Sequence, residues 1–340
     1  MCKRILASQT NTEEGVPFYK IGTIGNAPDA YISKELFDDY KTKYNYPHKG
    51  EVMITCAGTV GKCVIYDGKD AYYQDSNIVW IDNPSQCISN SFLYHLLAKV
   101  DWRKLNSTTI IRIYNDDLRN LKLSYPQIEE QQKISRLLSF LDERIATQNK
   151  IIDKLQSLIK GIRNDVYGKL RKSVGFNAMI SDVLSYEQPQ PYIVENTEYT
   201  TEGIPVLTAN RAFVLGYTSE TNGIYDKGDC IIFDDFTLDC KYVEFPYKIK
   251  SSAIKILTAK NKELLRYTFE FLKYLDLSTE EHKRHYIAEI QNQEFILPTM
   301  HIVSTIAHAF SALSLRMESV VKQRNMFETQ KQYLLRQMFI

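Results

Sequence analysis

The run Ala-Gly-Thr-Val-Gly-Lys-Cys at positions 57–63 has the spacing closest to a chemical motif. A glycine-lysine pair in a short loop is typical of nucleotide binding, where backbone amides and the lysine hold the phosphates. That motif needs an earlier glycine where Cys56 stands. It also ends in a serine or threonine that binds magnesium, whereas this run ends in Cys63. The sequence therefore does not predict a nucleotide site here.

Other residues that could support catalysis are not arranged in a recognisable pattern. The sequence shows no Ser/His/Asp or HExxH pattern and no glycine-rich cofactor loop. The six cysteines lack the close spacing that zinc sites use, so reduced thiols are expected. They are Cys2, Cys56, Cys63, Cys87, Cys230 and Cys240. The six histidines, including His282 and His285, are interpreted as surface residues. We expect no catalytic residue, metal site or cofactor in this chain.

Composition limits the possible classes of protein. The chain has 340 residues and a mass of 39.5 kDa, enough for two ordinary domains, and its apolar content of 44% can form a core. With 42 basic and 41 acidic residues the net charge is +1, so any nucleic-acid binding must come from local patches. No apolar run reaches the roughly 18 residues of a membrane span, and the start lacks a signal-like stretch. We expect a cytoplasmic protein.

The chain contains two copies of one pattern. EGVPFYKIGTIG from Glu14 matches EGIPVLTANRAF from Glu202, and KGEVMIT from Lys49 matches KGDCIIF from Lys227. Strand-like segments follow in the same order in both copies, which predicts two α/β (α+β) domains at residues 1–126 and 173–298. Before the shared Glu-Gly the first copy has 13 residues and the second has 29 from residue 173. We therefore expect the first domain to lack an opening strand or helical turn.

Each copy ends in a proline, Pro126 or Pro298, followed by apolar residues at a period of 3.5, which predicts helices at residues 127–172 and 299–340. Each helix has a narrow apolar stripe, which would stay exposed to water if the two helices did not pack on each other. An antiparallel coiled coil is therefore expected. The helices carry net charges of +4 and +3 and leave −6 elsewhere, which suits either a solvated coiled-coil surface or a surface for nucleic acid or an acidic partner. The predicted seam is Ile134, Leu138, Leu141, Ile145, Ile152, Leu155, Ile159, Ile162, Ile306, Phe310, Leu313, Met317, Val320, Phe327, Leu334 and Met338.

Two globular copies, each ending in a helix like YPQIEEQQKISRLLSFLDERI, resemble the specificity subunit of Type I restriction-modification enzymes. The runs VPFYKIGTIG, PDAYISKELF, AGTVGKCVIYDG and AYYQDSNIVWID are similar to segments of its target recognition domains. The resemblance implies that each domain reads one half of a bipartite double-stranded DNA site and that the coiled coil sets the spacer. It also implies two modification subunits that methylate adenine with S-adenosylmethionine, and restriction subunits that use ATP and magnesium.

The second copy departs from the family pattern, since Ser314 stands where the first copy has Asp142. Two alternatives therefore stay open beside a working specificity subunit. One is an inactive or silent specificity cassette, favoured by the short first lead-in. The other is a coiled-coil protein scaffold that binds no DNA, favoured by the negative charge outside the helices.

Polar loop residues are the candidates for DNA contact, because base pairs present distinct donor and acceptor patterns to side chains. The glycines of AGTVGK could bring backbone close to a phosphate, although an ordinary hairpin turn explains them equally well. Helix residues outside the seam, namely Gln131, Arg136, Arg144 and Gln156, are candidate partner contacts, as well as solvated positions. The DNA candidates are Lys20, Thr23, Lys41, Lys43, Gly58, Thr59, Gly61, Lys62, Gln74, Ser76, Asn77, Thr208, Asn210, Arg211, Thr237 and Lys241.

Overall fold

The computed structural model describes residues 1–102, 104, 112–209, 212–279 and 283–338. The chain forms two compact units. Unit 1 is Met1–Thr147 with Gln323–Ile340, and unit 2 is Gln148–Lys322. Both contain helices and sheets, so the predicted α+β class is confirmed. Among the described residues, no helix has the length and apolar composition needed to cross a membrane.

Unit 1 contains two three-stranded sheets. In the first, β1 pairs antiparallel with β2 and parallel with β5. In the second, β3 lies between β4 and β6 and is antiparallel to both. The strands are β1 (Val16–Tyr19), β2 (Tyr31–Ile32), β3 (Val52–Thr55), β4 (Cys63–Ile65), β5 (Tyr72–Tyr73) and β6 (Ile78–Ile81). The short helices are α1 (Lys34–Lys43), α2 (Asn90–Lys99) and α3 (Asn115–Arg119), and a 3-10 turn covers Ala7–Gln9.

Unit 2 contains a three-stranded, a four-stranded and a two-stranded sheet, in the orders β10-β9-β13, β12-β11-β14-β8 and β15-β7. The strands are β7 (Ala178–Met179), β8 (Leu184–Glu187), β9 (Ile204–Leu207), β10 (Val214–Thr218), β11 (Cys230–Asp234), β12 (Cys240–Val243), β13 (Lys248–Ile249), β14 (Ile254–Ala259) and β15 (Glu294–Phe295). The remaining helices are α4 (Ile128–Ser173), α5 (Ile180–Val183), α6 (Lys262–Leu275) and α7 (Met300–Met338), with 3-10 turns at Gln190–Tyr192 and Ile290–Asn292.

The sheets reproduce the sequence repeat strand by strand. The order β2-β1-β5 corresponds to β10-β9-β13, and β4-β3-β6 corresponds to β12-β11-β14, with the same directions in each pair. The difference is β8, a fourth strand that unit 2 builds from its longer lead-in. The described part of unit 1 has no counterpart of β8, as the shorter lead-in predicts.

Side-chain caps fix where the helices behind the sheets begin. The hydroxyl of Ser33 accepts a hydrogen bond from the amide of Leu36 at the start of α1, and Ser89 does the same at the start of α2. In unit 2 the Asn261 side chain accepts from the Leu264 amide, at 2.8 Å, at the start of α6. These caps satisfy amides that a helix leaves unpaired at its first turn. The apolar faces of α2 and α6 then pack on their sheets.

The long helices α4 and α7 begin one residue later than predicted and run antiparallel within each unit. In unit 1 the start of α4 packs on the end of α7, where Leu138 joins the same cluster as Leu335 and Asp142 pairs with Lys331. In unit 2 the guanidinium of Arg163 on α4 lies 5.9 Å from the ring of Phe310 on α7. Every residue of the predicted seam is buried or half-buried. The apolar stripe of each helix is therefore covered at least in part.

Candidate nucleic-acid interface

Three loops of unit 1 meet beside the sheets, and we call residues 20–26, 56–62 and 74–77 the first loop cluster. The amide of Ile21 donates to Gln74 Oε1 at 3.2 Å, and the amide of Cys56 donates to the carbonyl of Asn77 at 2.7 Å. These bonds join segments that are far apart in sequence. The cluster brings together most of the first-copy candidates, namely Lys20, Thr23, Gly58, Thr59, Gly61, Lys62, Gln74, Ser76 and Asn77.

The glycine turn of this cluster is held from inside by Thr55. The Gly61 amide donates to the Thr55 carbonyl at 2.9 Å, and the Lys62 amide donates to the Thr55 hydroxyl at 3.0 Å. Because these two amides are used within the hairpin, they do not offer a phosphate cradle. The turn instead presents side chains, of which Thr59 is exposed and Lys62 half-buried. Of the two interpretations of AGTVGK, the hairpin turn fits these bonds.

Two arginines that sequence reasoning missed stand beside the first loop cluster. Arg4 and Arg112 line a cavity of about 460 Å³ together with Lys20, Gln74 and Ser76. The guanidinium of Arg112 donates to the carbonyl of Ser76 at 3.2 Å. Neither arginine belongs to a motif, and only the tertiary fold brings them to these loops. Arginine and lysine beside polar side chains are the composition that contacts both phosphates and base edges.

Lys41 and Lys43 are not brought to this cluster, because both lie on α1. Lys41 pairs with Asp70 at 3.1 Å and lies over the ring of Tyr46. Lys43 pairs with Asp39 one helical turn earlier, at 2.5 Å. Their charges are locally balanced by carboxylates, so a DNA contact at these two positions stays a prediction without support from the loop geometry.

Unit 2 builds a second loop cluster from residues 208–209, 212–213, 235–239 and 250–253. The Thr208 amide donates to the Phe213 carbonyl at 2.9 Å, and the Asp235 amide donates to the Ala253 carbonyl at 2.8 Å. Of the candidates, Thr237 is exposed on the hairpin, Thr208 is buried, and Lys241 lies half-buried on β12. Asn210 and Arg211 lie outside the described residues.

The hydrogen-bond register identifies a second-copy residue that sequence reasoning missed. The Gln74 amide donates to the carbonyl of Tyr19, the last residue of β1, and the Lys250 amide donates to the carbonyl of Leu207, the last residue of β9. Lys250 therefore occupies the position of Gln74, and it is exposed. A register comparison of the repeats, rather than residue similarity, is the signal that finds it.

A second missed residue is Arg284, whose guanidinium lies 5.9 Å from the ring of Phe236 on the β11–β12 hairpin. Its loop is fixed by Asp235, which accepts hydrogen bonds from the amides of His285 and Tyr286 at 3.0 and 2.7 Å. The prediction that the histidines are surface residues is wrong for His285, whose side chain is buried with its ring 2.9 Å from the carboxylate of Glu289. His95 on α2 is also buried, and His282 lies outside the described residues.

The helix candidates for partner contact divide into one buried and three exposed residues. Arg136, Arg144 and Gln156 are exposed. Gln131 is fully buried, so its prediction as a partner contact is wrong. Its amide nitrogen donates to the carbonyls of Cys87 and Pro126, both at 2.9 Å, and its oxygen accepts from the Ser89 amide. These bonds fix the start of α4 against the start of α2.

An exposed apolar patch accompanies the exposed arginines on α4 in unit 1. Leu137 and Phe140 keep 41% and 49% of their surface exposed, and the Arg144 guanidinium lies 4.8 Å from the Phe140 ring. Large exposed side chains on one helix face are typical of protein-binding surfaces.

Two thiols, Cys56 and Cys63, flank the glycine turn of the first loop cluster. Burial raises the pKa of Cys56 to about 11 and that of Cys63 to about 12, so both thiols stay protonated and poorly nucleophilic at neutral pH. In the described part of the chain no three His, Cys, Asp or Glu residues are grouped to hold a metal ion. The first cluster offers hydrogen bonding and positive charge, and the second offers hydrogen bonding with one lysine, Lys250, and two aspartates, Asp235 and Asp239.

Replacing Gly61 with alanine should destabilise unit 1 more than the matched change at Gly50. Both glycines have φ near +90°. A Cβ at Gly61 would lie 2.2 Å from Trp102 Cδ1, whereas a Cβ at Gly50 would meet nothing within 4 Å. We expect Gly50→Ala to cost about 1–2 kcal/mol of unfolding free energy from backbone strain alone. Gly61→Ala should cost a further 1–3 kcal/mol or so from overpacking.

Urea unfolding followed by tryptophan fluorescence measures this difference, because the two tryptophans, Trp80 and Trp102, both lie in unit 1. Equal losses for the two alanine variants would show that Trp102 does not restrict the turn.

Comparison with known proteins gives a consistent result. Residues 1–157 match the family model described as Type I restriction modification DNA specificity domain. Over 160 residues the chain is 48% identical to a Haemophilus influenzae protein provisionally named a type I restriction enzyme specificity subunit, covering 47% of this chain and 41% of that protein. Over 126 residues it is 43% identical to an Escherichia coli type I restriction enzyme specificity subunit, covering 35% and 31%. The matched regions thus span under half of each relative.

A solved structure extends the likeness to the whole fold. The S subunit of a Type-I restriction-modification system from M. genitalium has a TM-score of 0.65 at 16% identity, covering 100% of this chain and 92% of that one. At this identity the likeness concerns the fold. The sequence matches support the resemblance over the first half of the chain, and this structure shows the same fold over the whole chain.

Proposed function

Because residues 1–157 match the family model described as Type I restriction modification DNA specificity domain, we propose that this chain is the DNA-recognition subunit of a Type I restriction-modification complex. Each loop cluster reads one half of a bipartite site in double-stranded DNA. The chain carries no chemistry of its own and directs modification subunits, which methylate adenine with S-adenosylmethionine, and restriction subunits, which use ATP and magnesium. The observation that carries the proposal is the repetition of one loop arrangement on two matching sheets.

The clusters share a scaffold and differ in the side chains that they present. At the same register position the first cluster has Gln74 and the second has Lys250. A glutamine side chain can form two hydrogen bonds with the N6 donor and N7 acceptor of adenine, whereas a lysine donates to the O6 and N7 acceptors of guanine. The turn from Gly58 to Lys62 in unit 1 corresponds to the acidic and aromatic hairpin 235–239 in unit 2. Two different half-sites follow from these differences.

Binding strength is expected to come from the cations around the readout residues. In the first cluster these are Arg4, Lys20, Lys62 and Arg112. Lys20 pairs with Asp29 at 3.1 Å, and the two side chains are 42% and 56% exposed. Such an exposed pair is weak, so a phosphate can displace the carboxylate. Because the net charge is only +1, affinity should depend on these local contacts and fall steeply with salt.

The modification subunits are expected to bind the exposed face of α4 in unit 1. Leu137 and Phe140 supply apolar surface there, and Arg136 and Arg144 supply charge. An apolar centre bordered by arginine is the composition of a protein interface.

Genome-wide adenine methylation, in a host that carries the chain with its modification subunit, tests the proposal. We expect a bipartite motif that is absent from the same host without the chain. The matched variants Gln74→Ala and Lys250→Ala should each relax one half-site and leave the other unchanged, with about 1–3 kcal/mol of discrimination lost at the affected base pair.

Two outcomes would contradict the proposal and select an alternative. A stable complex with the modification subunit but no new motif would identify a silent specificity cassette. Absence of both the complex and DNA binding at low salt would favour a coiled-coil scaffold.

A further inference from the structure

A short segment of each repeat is hydrogen-bonded to the end of the central strand. In unit 1 the amide of Ile113 donates to the carbonyl of Cys56 at 2.9 Å, and in unit 2 the amide of His285 donates to the carbonyl of Asp235 at 3.1 Å. Cys56 follows the last residue of β3, and Asp235 follows the last residue of the matching strand β11. The segments that carry these two amides therefore hold the same position against their sheets.

An arginine precedes the bonded amide in both segments. Arg112 and Arg284 each stand 14 residues before the proline that precedes the next long helix, Pro126 or Pro298. The residue that follows each arginine is buried, whereas Arg112 is half-buried and Arg284 is exposed. The sequence spacing agrees with the backbone bonds, so the two repeats present the same basic side chain from the same backbone position.

The neighbouring positions of the two loop clusters differ between the repeats. Gln74 in unit 1 corresponds to Lys250 in unit 2, and the glycine turn 58–62 corresponds to the hairpin 235–239. Side chains that read different half-sites must differ, because each base pair presents its own pattern of donors and acceptors. The phosphate backbone is the part of the duplex that every half-site shares. One residue type at the same position in both clusters therefore favours a phosphate contact over base readout.

The surroundings of Arg112 suit an anion. The cavity that it lines contains three cationic side chains, those of Arg4, Lys20 and Arg112, against one carboxylate, that of Asp75. The Arg112 guanidinium donates to the carbonyl of Ser76 at 3.2 Å, which ties it to a loop of the first cluster. A guanidinium that is oriented in this way can bind two oxygens of one phosphate with little further loss of side-chain freedom.

The segment of Arg284 is held by a carboxylate whose charge is balanced. One oxygen of Asp235 accepts from the amides of the two residues that follow Arg284, at 3.0 and 2.7 Å, and the other lies 3.6 Å from Nζ of Lys255. Asp235 and Lys255 are both buried. The Arg284 guanidinium lies 5.9 Å from the ring of Phe236. A neutral buried pair and an aromatic ring therefore position this arginine on the second loop cluster.

We propose that Arg112 and Arg284 are equivalent phosphate contacts, one in each recognition domain. Each binds a backbone phosphate of its own half-site and fixes the register of its loop cluster on the duplex, and neither reads a base. This inference rests on the proposed DNA-recognition function and adds a distinction to it. The shared arginines position the clusters, and the side chains that differ between the clusters select the sequence.

A salt titration of DNA binding by the full chain, in complex with its modification subunit, tests this inference. We expect Arg112→Ala and Arg284→Ala each to lower the slope of log K against log salt concentration by about 0.9, the share of one phosphate. Affinity should fall about tenfold or more, and by the same factor on a duplex with the methylated motif and on an unrelated duplex. The methylated motif should stay unchanged. Arg112→Lys and Arg284→Lys should keep most of the slope, because lysine also carries the charge.

Lys69→Ala and Lys260→Ala are the matched controls, one in each unit. Both lysines are exposed. They lie beyond the far ends of β4 and β14, two strands that begin at the loop clusters. We expect both controls to leave the slope unchanged, although each removes one positive charge.

Two results would overturn this inference alone, in a wild-type complex that binds DNA. One is a slope that stays at the wild-type value in either alanine variant, which would give that arginine a structural role at most. The other is a motif that becomes degenerate at one base pair, with affinity lost only on the specific duplex, which would show that the arginine reads that base. A wild-type complex that gives no motif and binds no DNA at low salt would instead overturn the proposed function, and the inference with it.

Discussion

Replacing Glu270 with alanine should lower the free energy of unfolding of unit 2 by about 3–5 kcal/mol, the cost of leaving buried charges without a partner. Glu270 on α6 is 1% exposed. One carboxylate oxygen accepts from Nε and Nη2 of Arg163 on α4 at 2.9 and 2.7 Å, and the other accepts from Arg266 at 2.9 Å. Arg266 also donates to the carbonyl of Phe310 and to the Ser314 hydroxyl on α7. Glu270 and its two arginines thus connect three helices.

Hydrogen exchange of α6 measures this loss, because both tryptophans lie in unit 1 and do not report on unit 2. Glu263→Ala on the same helix is the control. It removes an acidic residue from the first turn of α6, whose interaction with the helix dipole contributes about 0.3–1 kcal/mol. Adding Arg163→Leu and Arg266→Met to Glu270→Ala should recover much of the lost stability, since no buried charge then lacks a partner. If Glu270→Ala and Glu263→Ala behave alike, the triad does not hold the helices together.

This triad also explains how unit 2 tolerates Ser314 where the first copy has Asp142. In unit 1 Asp142 pairs with Lys331 of α7, so the two long helices share one ion pair. In unit 2 the Ser314 hydroxyl accepts from Arg266, and the charge balance is supplied from α6. The departure from the family pattern is therefore compensated within its own unit.

The repeat and the long helices could be predicted because each depends on a period in the sequence. Apolar side chains recur at 3.5 residues wherever two helices pack, so burial at Ile134 or Phe310 follows from the pattern alone. Polar residues carry no such signal. Gln131 and His285 looked accessible because they are polar, yet backbone carbonyls and carboxylates satisfy them inside the fold.

The candidate site was predictable only where sequence neighbours stay together. The loop that contains Gln74 and the turn that contains Lys62 belong to repeat motifs, and the sheets bring them side by side. Arg4 and Arg112 reach the same cavity from distant segments, so only the tertiary structure identifies them. Lys41 is expected in a loop but lies on a helix beside Asp70, so its placement is wrong while its contact with DNA stays a prediction.

Deleting one heptad from each long helix should shorten the unspecified spacer of the DNA site and leave both half-sites unchanged. The intervals between known contacts make the deletion well defined. Asp142 on α4 pairs with Lys331 on α7, and Arg163 on α4 contacts Phe310 on α7. The two contacts are 21 residues apart on each helix. Both intervals equal three heptads, so removing seven residues from each preserves the seam register. Each helix then loses about 10 Å at about 1.5 Å per residue.

A loss of about 10 Å corresponds to roughly three base pairs at about 3.4 Å each, and methylation mapping reads the new spacer directly. A matched control removes seven residues from α4 alone, which leaves one interval longer than the other and should abolish the motif rather than shorten it. Because the loop clusters lie outside the deleted intervals, a change in either half-site would mean that the helices position the readout loops themselves. An unchanged spacer after the paired deletion would show that the partner subunits, and not α4 and α7, set the distance between the half-sites.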